Sequence, residues 1–229
     1  MSIGATRTAE QMEQDLRELM ATVRSAHLTT LLDRLFSPDS PTWKAFRKAP
    51  AAKRYHQAYE HGLLEHSLSV AQAVNALSAI FGGIDRDLAL TGAVIHDIGK
   101  LDTYEVVQER IEMTDGGRLH GEIALGYYRI HRELDQIVGF PHELSQALLH
   151  IVLSHHGSLE HGSPVVPCTR EATLVHMADN LGSKLGSFDR IESELDSGDQ
   201  WSGYDRGIGA SAYFGTDGAD PPLSAKLAA

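Results

Sequence analysis

The chain has 229 residues, a net charge of −11, 42% apolar residues, 13 histidines and one cysteine. That length and apolar share suit one well-buried domain with at most a small appendage. The charge argues against a protein that coats nucleic acid by bulk electrostatics, and a single cysteine cannot close an internal disulfide. No run has the length of a membrane span and the first residues lack a signal-peptide core, so a cytoplasmic protein with no membrane partner is expected.

From about Ala9 to Phe36, the residues Leu16, Leu19, Met20, Val23, His27, Leu31 and Leu35 recur at three- and four-residue steps. This spacing predicts one long amphipathic helix with Thr8 as its N-cap. Ser37-Pro38-Asp39-Ser40-Pro41 breaks the chain, and Thr42 to Tyr59 is helical in character but interrupted near Pro50. Leu63 to Phe81 predicts a third helix, closed by Gly82-Gly83, and Asp85 caps a fourth. Tyr104 to Leu119 is β-prone and turn-rich, which predicts a short hairpin. Helices follow at about His120–Val138, Glu143–Leu153 and Thr169–Leu195.

The fold class is therefore all-α, a helical bundle with a short β-hairpin near 104–118. Residues 1–40 are expected to form an N-terminal helix packed on the body. Residues 41–196 are expected to form the functional domain, and 197–229 an irregular C-terminal tail in which Trp201, Tyr204, Tyr213 and Phe214 pack on the body and Pro221 to Ala229 is loose.

Ala93-Val94-Ile95-His96-Asp97-Ile98-Gly99-Lys100 organises the rest. Here an imidazole and a carboxylate close an apolar helical run. His66 lies upstream; His120, the doublet His155-His156 and then Asp179 lie downstream, each within or beside a predicted helix. Histidine is the commonest metal ligand, and a helical protein must bring its ligands from several helices. His66, His96, Asp97 and Asp179 can enclose one ion. Adjacent helical residues point about 100° apart, so His96 and Asp97 both ligate only where the helix end approaches the ion. Asp97 has two oxygens and can bridge to a second ion about 3.5–4 Å away, which His120, His155 and His156 would complete.

This order of residues resembles the HD superfamily of metal-dependent phosphohydrolases, in which His66, His96, Asp97 and Asp179 match the defining ligands. The additional His120, His155 and His156 resemble its dinuclear branch. Ala51-Ala52-Lys53, His56, Leu63-Leu64-Glu65-His66, Ser154-His155-His156-Gly157, Glu160, Gly162-Ser163-Pro164 and His176-Met177-Ala178-Asp179-Asn180-Leu181 are similar to the HD domain of YhaM-type 3′-5′ exoribonucleases, over roughly residues 45–190. Those enzymes carry an N-terminal OB-fold that grips single strands. Here a predicted helix holds that place, and the glycine pair before the first ligand helix is His61-Gly62.

The resemblance implies a phosphohydrolase acting on nucleotides or short single-stranded oligonucleotides, with Asp97 and Lys100 catalytic. Two divalent transition-metal ions would acidify water and polarise a phosphoryl oxygen. Manganese is the expected ion; iron, cobalt and zinc also suit the donor set. Lys100 would neutralise charge on the phosphate. Lys184, on the predicted helix of Asp179, and His61, Glu160 and His161 are the further substrate-binding candidates. An HD-fold di-iron oxygenase and a cyclic-dinucleotide phosphodiesterase are the alternative readings, although the Gly-Tyr-Pro signature of the latter is absent.

Overall fold

The structure, a computed structural model, describes residues 7–53, 57–108 and 110–215. His56 and the last part of the tail, including Pro221 to Ala229, lie outside the described residues. The chain divides into two compact units after Ser183.

In the main unit the helices are α1 (Ala9–Met20), α2 (Ala26–Phe36), α3 (Pro41–Phe46), α4 (Gly62–Ser78), α5 (Arg86–Ile95), α6 (Lys100–Thr103), α7 (Asp115–Asp135), α8 (His142–Ser154) and the first part of α9 (Arg170–Glu194). A hairpin, β1 (Tyr104–Val107) and β2 (Arg110–Met113), follows α6, with Tyr104 opposite Met113. The predicted helical bundle with a hairpin in the 104–118 stretch is what forms, and a second small hairpin is added near the C-terminus.

The single long N-terminal helix does not form; two helices stand in its place. Thr8 caps α1 as expected, with Gln11 returning the bond in a capping box. The break before α2 is made from a distance: the Asp87 carboxylate on α5 accepts the backbone N–H groups of Arg24 and Ser25 at 2.7 and 3.0 Å. These bonds pin the turn directly ahead of α2, whose N-cap Ser25 makes no side-chain bond of its own.

At the centre lies α5, on which every residue from Leu88 to Ile95 is buried. A helix apolar all round must sit inside others, and α5 packs on α4, α2 and α8, while α8 packs on α7. Each fully buried Leu or Ile contributes about 1.5–3 kcal/mol. Leu90, Ile95 and Ile98, together with Leu63, Leu64 and Leu68 of α4, therefore hold the end of α5 firmly. That end, His96-Asp97, emerges in the middle of the bundle.

The second unit begins at Lys184 and contains the rest of α9 with the hairpin β3 (Trp201–Asp205) and β4 (Ala210–Tyr213). Residues 197 onward were expected to be irregular; instead Trp201 pairs with Tyr213, and their rings lie 4.7 Å apart. Arg190 of α9 bonds Asp205 at 2.5 Å, and Asp205 also accepts the N–H groups of Gly207 and Ile208 to close the turn. Among the described residues no helix is long and apolar enough to cross a membrane.

Candidate metal centre

Two helices end in the same way. His96 is the C-cap of α5 and its Nδ1 bonds the Ala93 carbonyl at 2.7 Å; His155 is the C-cap of α8 and its Nδ1 bonds the Val152 carbonyl at 2.7 Å. Each ring folds back to satisfy a carbonyl that the helix leaves open. A carbonyl can only accept, so Nδ1 carries the proton, and in the neutral ring Nε2 is a lone pair aimed into the bundle. His156 repeats the device, with Nδ1 on the His161 carbonyl at 2.9 Å. This is the second bond by which metal-ligating histidines are oriented.

Around these nitrogens gather two clusters able to hold a divalent cation: His66, His96 and Asp179, and Asp97, Glu122, His155 and His156. In the first, His66 Nε2 lies 3.1 Å from His96 Nε2 and 3.2 Å from Asp179 Oδ1. Since His96 Nε2 is an acceptor, the proton between the two rings belongs to His66. In the second, His156 Nε2 lies 3.2 Å from Glu122 Oε1. Asp97 faces both. Its Oδ2 is 3.1 Å from His66 Nε2 and 3.4 Å from His96 Nε2, while Oδ1 is 3.4 Å from His155 Nε2.

The electrostatics are those of a site built for cations. Burial alone would raise the Asp97 carboxyl, but Lys100, His96 and His66 hold it well below its usual range. Asp179 is likewise held down, against burial, by its bond from His66 and by His96. Burial pulls His66 down, yet the bonds to Asp179 and Asp97 win and lift it to about 9. His156 is lifted to about 9 by Glu122 and Asp97 in the same contest. His155 goes the other way, lowered by burial. Thus protons on His66 and His156 stand where cation charge would stand.

Whether the residues fit metal ions can be tested on atoms left over. Asp97 Oδ1 and His155 Nε2 are buried and, although 3.4 Å apart, make no hydrogen bond among the described residues, since with the His155 proton on Nδ1 both atoms are acceptors. Leaving such atoms unpaired costs about 1–3 kcal/mol each. Both are metal-donor atoms, and both point into the second cluster. The donor set fits.

Of the sequence candidates, His66, His96, Asp97, His155, His156 and Asp179 converge. His120 does not: it is exposed and outside both clusters. Gly121 interrupts α7 at φ 75°, ψ 157°, so the chain turns between His120 and Glu122 and delivers the glutamate instead. Lys100 bonds Asp97 Oδ2 at 2.6 Å and lines the central cavity of about 220 Å³. His161 lines it too. Glu160 is exposed on the 3-10 turn Leu159–His161 and lines neither this cavity nor its neighbour. His61 is a structural residue: at φ 72° it caps α4, and its ring bonds the Arg47 carbonyl. Lys184 is exposed on α9, at the start of the second unit.

Neither Glu122 nor His176 is among the sequence candidates for the site, although His176 opens the motif that carries Asp179. Glu122 had one available signal, a glycine directly before it that can break a helix between two donor residues. His176 stands three residues before Asp179 on α9, a spacing that shares one helix face. Its Nδ1 bonds the His155 carbonyl at 2.8 Å and steadies the histidine doublet.

Comparison with protein families finds a match between residues 63–183 and the HD domain, which spans more than half of the chain and takes in every residue of both clusters. No solved structure matches the chain.

Proposed function

The chain belongs to the HD-domain superfamily of metal-dependent phosphohydrolases, and we propose that it cleaves phosphoester bonds in nucleotides or short single-stranded oligonucleotides, with chemistry like that of YhaM-type 3′-5′ exoribonucleases. The observation that carries this reading is Asp97, which offers one oxygen to each of two cation-binding clusters while Lys100 holds it at 2.6 Å.

In this reading His66, His96, Asp97 and Asp179 would hold one ion, and Asp97, Glu122, His155 and His156 would hold the other. Manganese is the first candidate, and two such cations when bound would supply Lewis-acid chemistry at a phosphoryl group and at water. The chain's own residues do the positioning. Lys100 stays charged: burial opposes this, but Asp97 and Glu122 push its amine above the usual range. Its bond to Asp97 fixes the carboxylate so that each oxygen keeps to its own cluster. The same amine faces the cavity, where it can neutralise charge that develops on a phosphoryl oxygen.

An activity panel with Mn²⁺ tests the proposal, comparing single-stranded RNA, dinucleotides, mononucleotides and cyclic dinucleotides. Turnover of dinucleotides and short RNA is expected. Turnover confined to cyclic dinucleotides, or oxygen consumption without phosphoester cleavage, would overturn it.

A further inference from the structure

The central cavity, at about 220 Å³, falls below the roughly 300–1,000 Å³ of sites that enclose a whole organic ligand. With ions in place it has room for little more than a phosphate. A nucleotide bound there must put its organic part elsewhere, and the structure provides a place. A second cavity of about 630 Å³ adjoins it, with His156 and His161 lining both spaces. Glu122 of the second cluster also lines it, so the two cavities meet at the proposed metal site.

Its walls differ in kind. Tyr104 and Tyr127 contribute two phenol rings, and Met113 and Leu153 add apolar surface. His120, placed outside the metal clusters, contributes an exposed imidazole to this cavity. Aromatic walls stack on flat rings, whereas an alkyl chain would leave the imidazoles and phenols without partners. Ring nitrogens and exocyclic groups give those polar groups something to bond.

We propose that this cavity is the nucleobase subsite, receiving the base of the nucleotide whose phosphate lies at Asp97 and Lys100. The proposal rests on the nucleotide reading above. It gives His120, Tyr104 and Tyr127 a role in holding substrate, and it makes the hairpin β1–β2, through Tyr104 and Met113, part of the specificity surface.

The test is equilibrium binding of adenosine, which carries no phosphate, to the metal-free full chain, compared between the wild type, Ala124→Trp and Met113→Trp. Ala124 is an exposed α7 residue on the cavity wall, outside both clusters, and Met113 intrudes from the hairpin. Both variants should weaken adenosine by about tenfold or more, because an indole placed on the wall fills the space the base would take, a loss on the scale of one base–aromatic stack. In parallel, the ratio of kcat/KM for a dinucleotide to that for p-nitrophenyl phosphate should fall by a similar factor. Failure of adenosine to bind the wild type, or equal binding by all three proteins, would overturn the subsite. A wild type that binds adenosine but cleaves no nucleotide, with binding lost in both variants, would keep the subsite and sink the hydrolase reading, so the two failures are distinguishable.

Discussion

Asp97 owes its role to where its two oxygens point, and the residues beside it decide what the second cluster is made of. Glu122 pairs with His156 at 3.2 Å, whereas His120 is exposed. Glu122→Gln should therefore weaken the second ion by about tenfold or more, and His120→Ala should leave metal content unchanged. Metal titrations of the two variants check this, and the reverse ranking would mean that α7 rearranges at Gly121 to bring in the histidine. A second expectation concerns protons. His66 and His156 rise from 6.5 to about 9 in the ion-free site, so both are charged at neutral pH. Their contribution to stability is full below about pH 6.5 and is lost as pH climbs through 9. Chelated protein should melt at progressively lower temperature across that window. Metal uptake should displace these protons, so apparent affinity should rise with pH over the same range. Calorimetry in buffers of different ionisation heat counts them; no proton release at pH 7.5 would contradict the assignment.

Elements repeat the lesson at larger size. Gly157 follows the histidine doublet at φ 82°, and a Cβ there would fall 2.0 Å from the His176 ring. Gly139, between α7 and α8, has φ 76° and open space around it. Gly139→Ala should cost only the left-handed penalty of about 1–2 kcal/mol. Gly157→Ala should cost about 1–3 kcal/mol more, because His176 must move with the His155 carbonyl it bonds. Thermal melts of the pair measure the difference, and equal losses would show that the turn does not depend on His176. The sequence foretold α4, α5, α8 and α9 because their apolar spacing is decided locally. It did not foretell the break between α1 and α2, because the group that holds the turn ahead of α2 is Asp87, brought by the fold from α5. Six of the seven metal candidates come together in the two clusters, and they stand out in the sequence because imidazoles and carboxylates gather there at helix ends and on apolar faces. Glu122 was not, because an acid on a charged helix is ordinary until Gly121 turns it inward. The hairpin β3–β4 was hidden too, its glycine- and aspartate-rich strands reading as loop.

At the scale of the molecule, charge sets what kind of polymer can bind. The chain carries −11, and Lys100 is the only lysine or arginine among the described residues that line either cavity. Salt dependence of binding grows with the number of phosphates neutralised, at a slope of about −0.7 per phosphate on single strands. With one amine, turnover should weaken only mildly as salt rises, and kcat/KM should level off within a few nucleotides of length. Efficiency that keeps climbing through long RNA with a steep salt slope would mean that a binding track lies elsewhere.

That one carboxylate serves two ions can be read from the metal content of purified wild type and Asp97→Ala, loaded with Mn²⁺ and measured by elemental analysis. The wild type should hold two ions per chain. Asp97 is the only ligand common to the two proposed sites, so its removal should deplete both, well beyond the loss of one. Full occupancy in the variant, or a wild type that saturates at one ion, would mean that Asp97 does not join two sites.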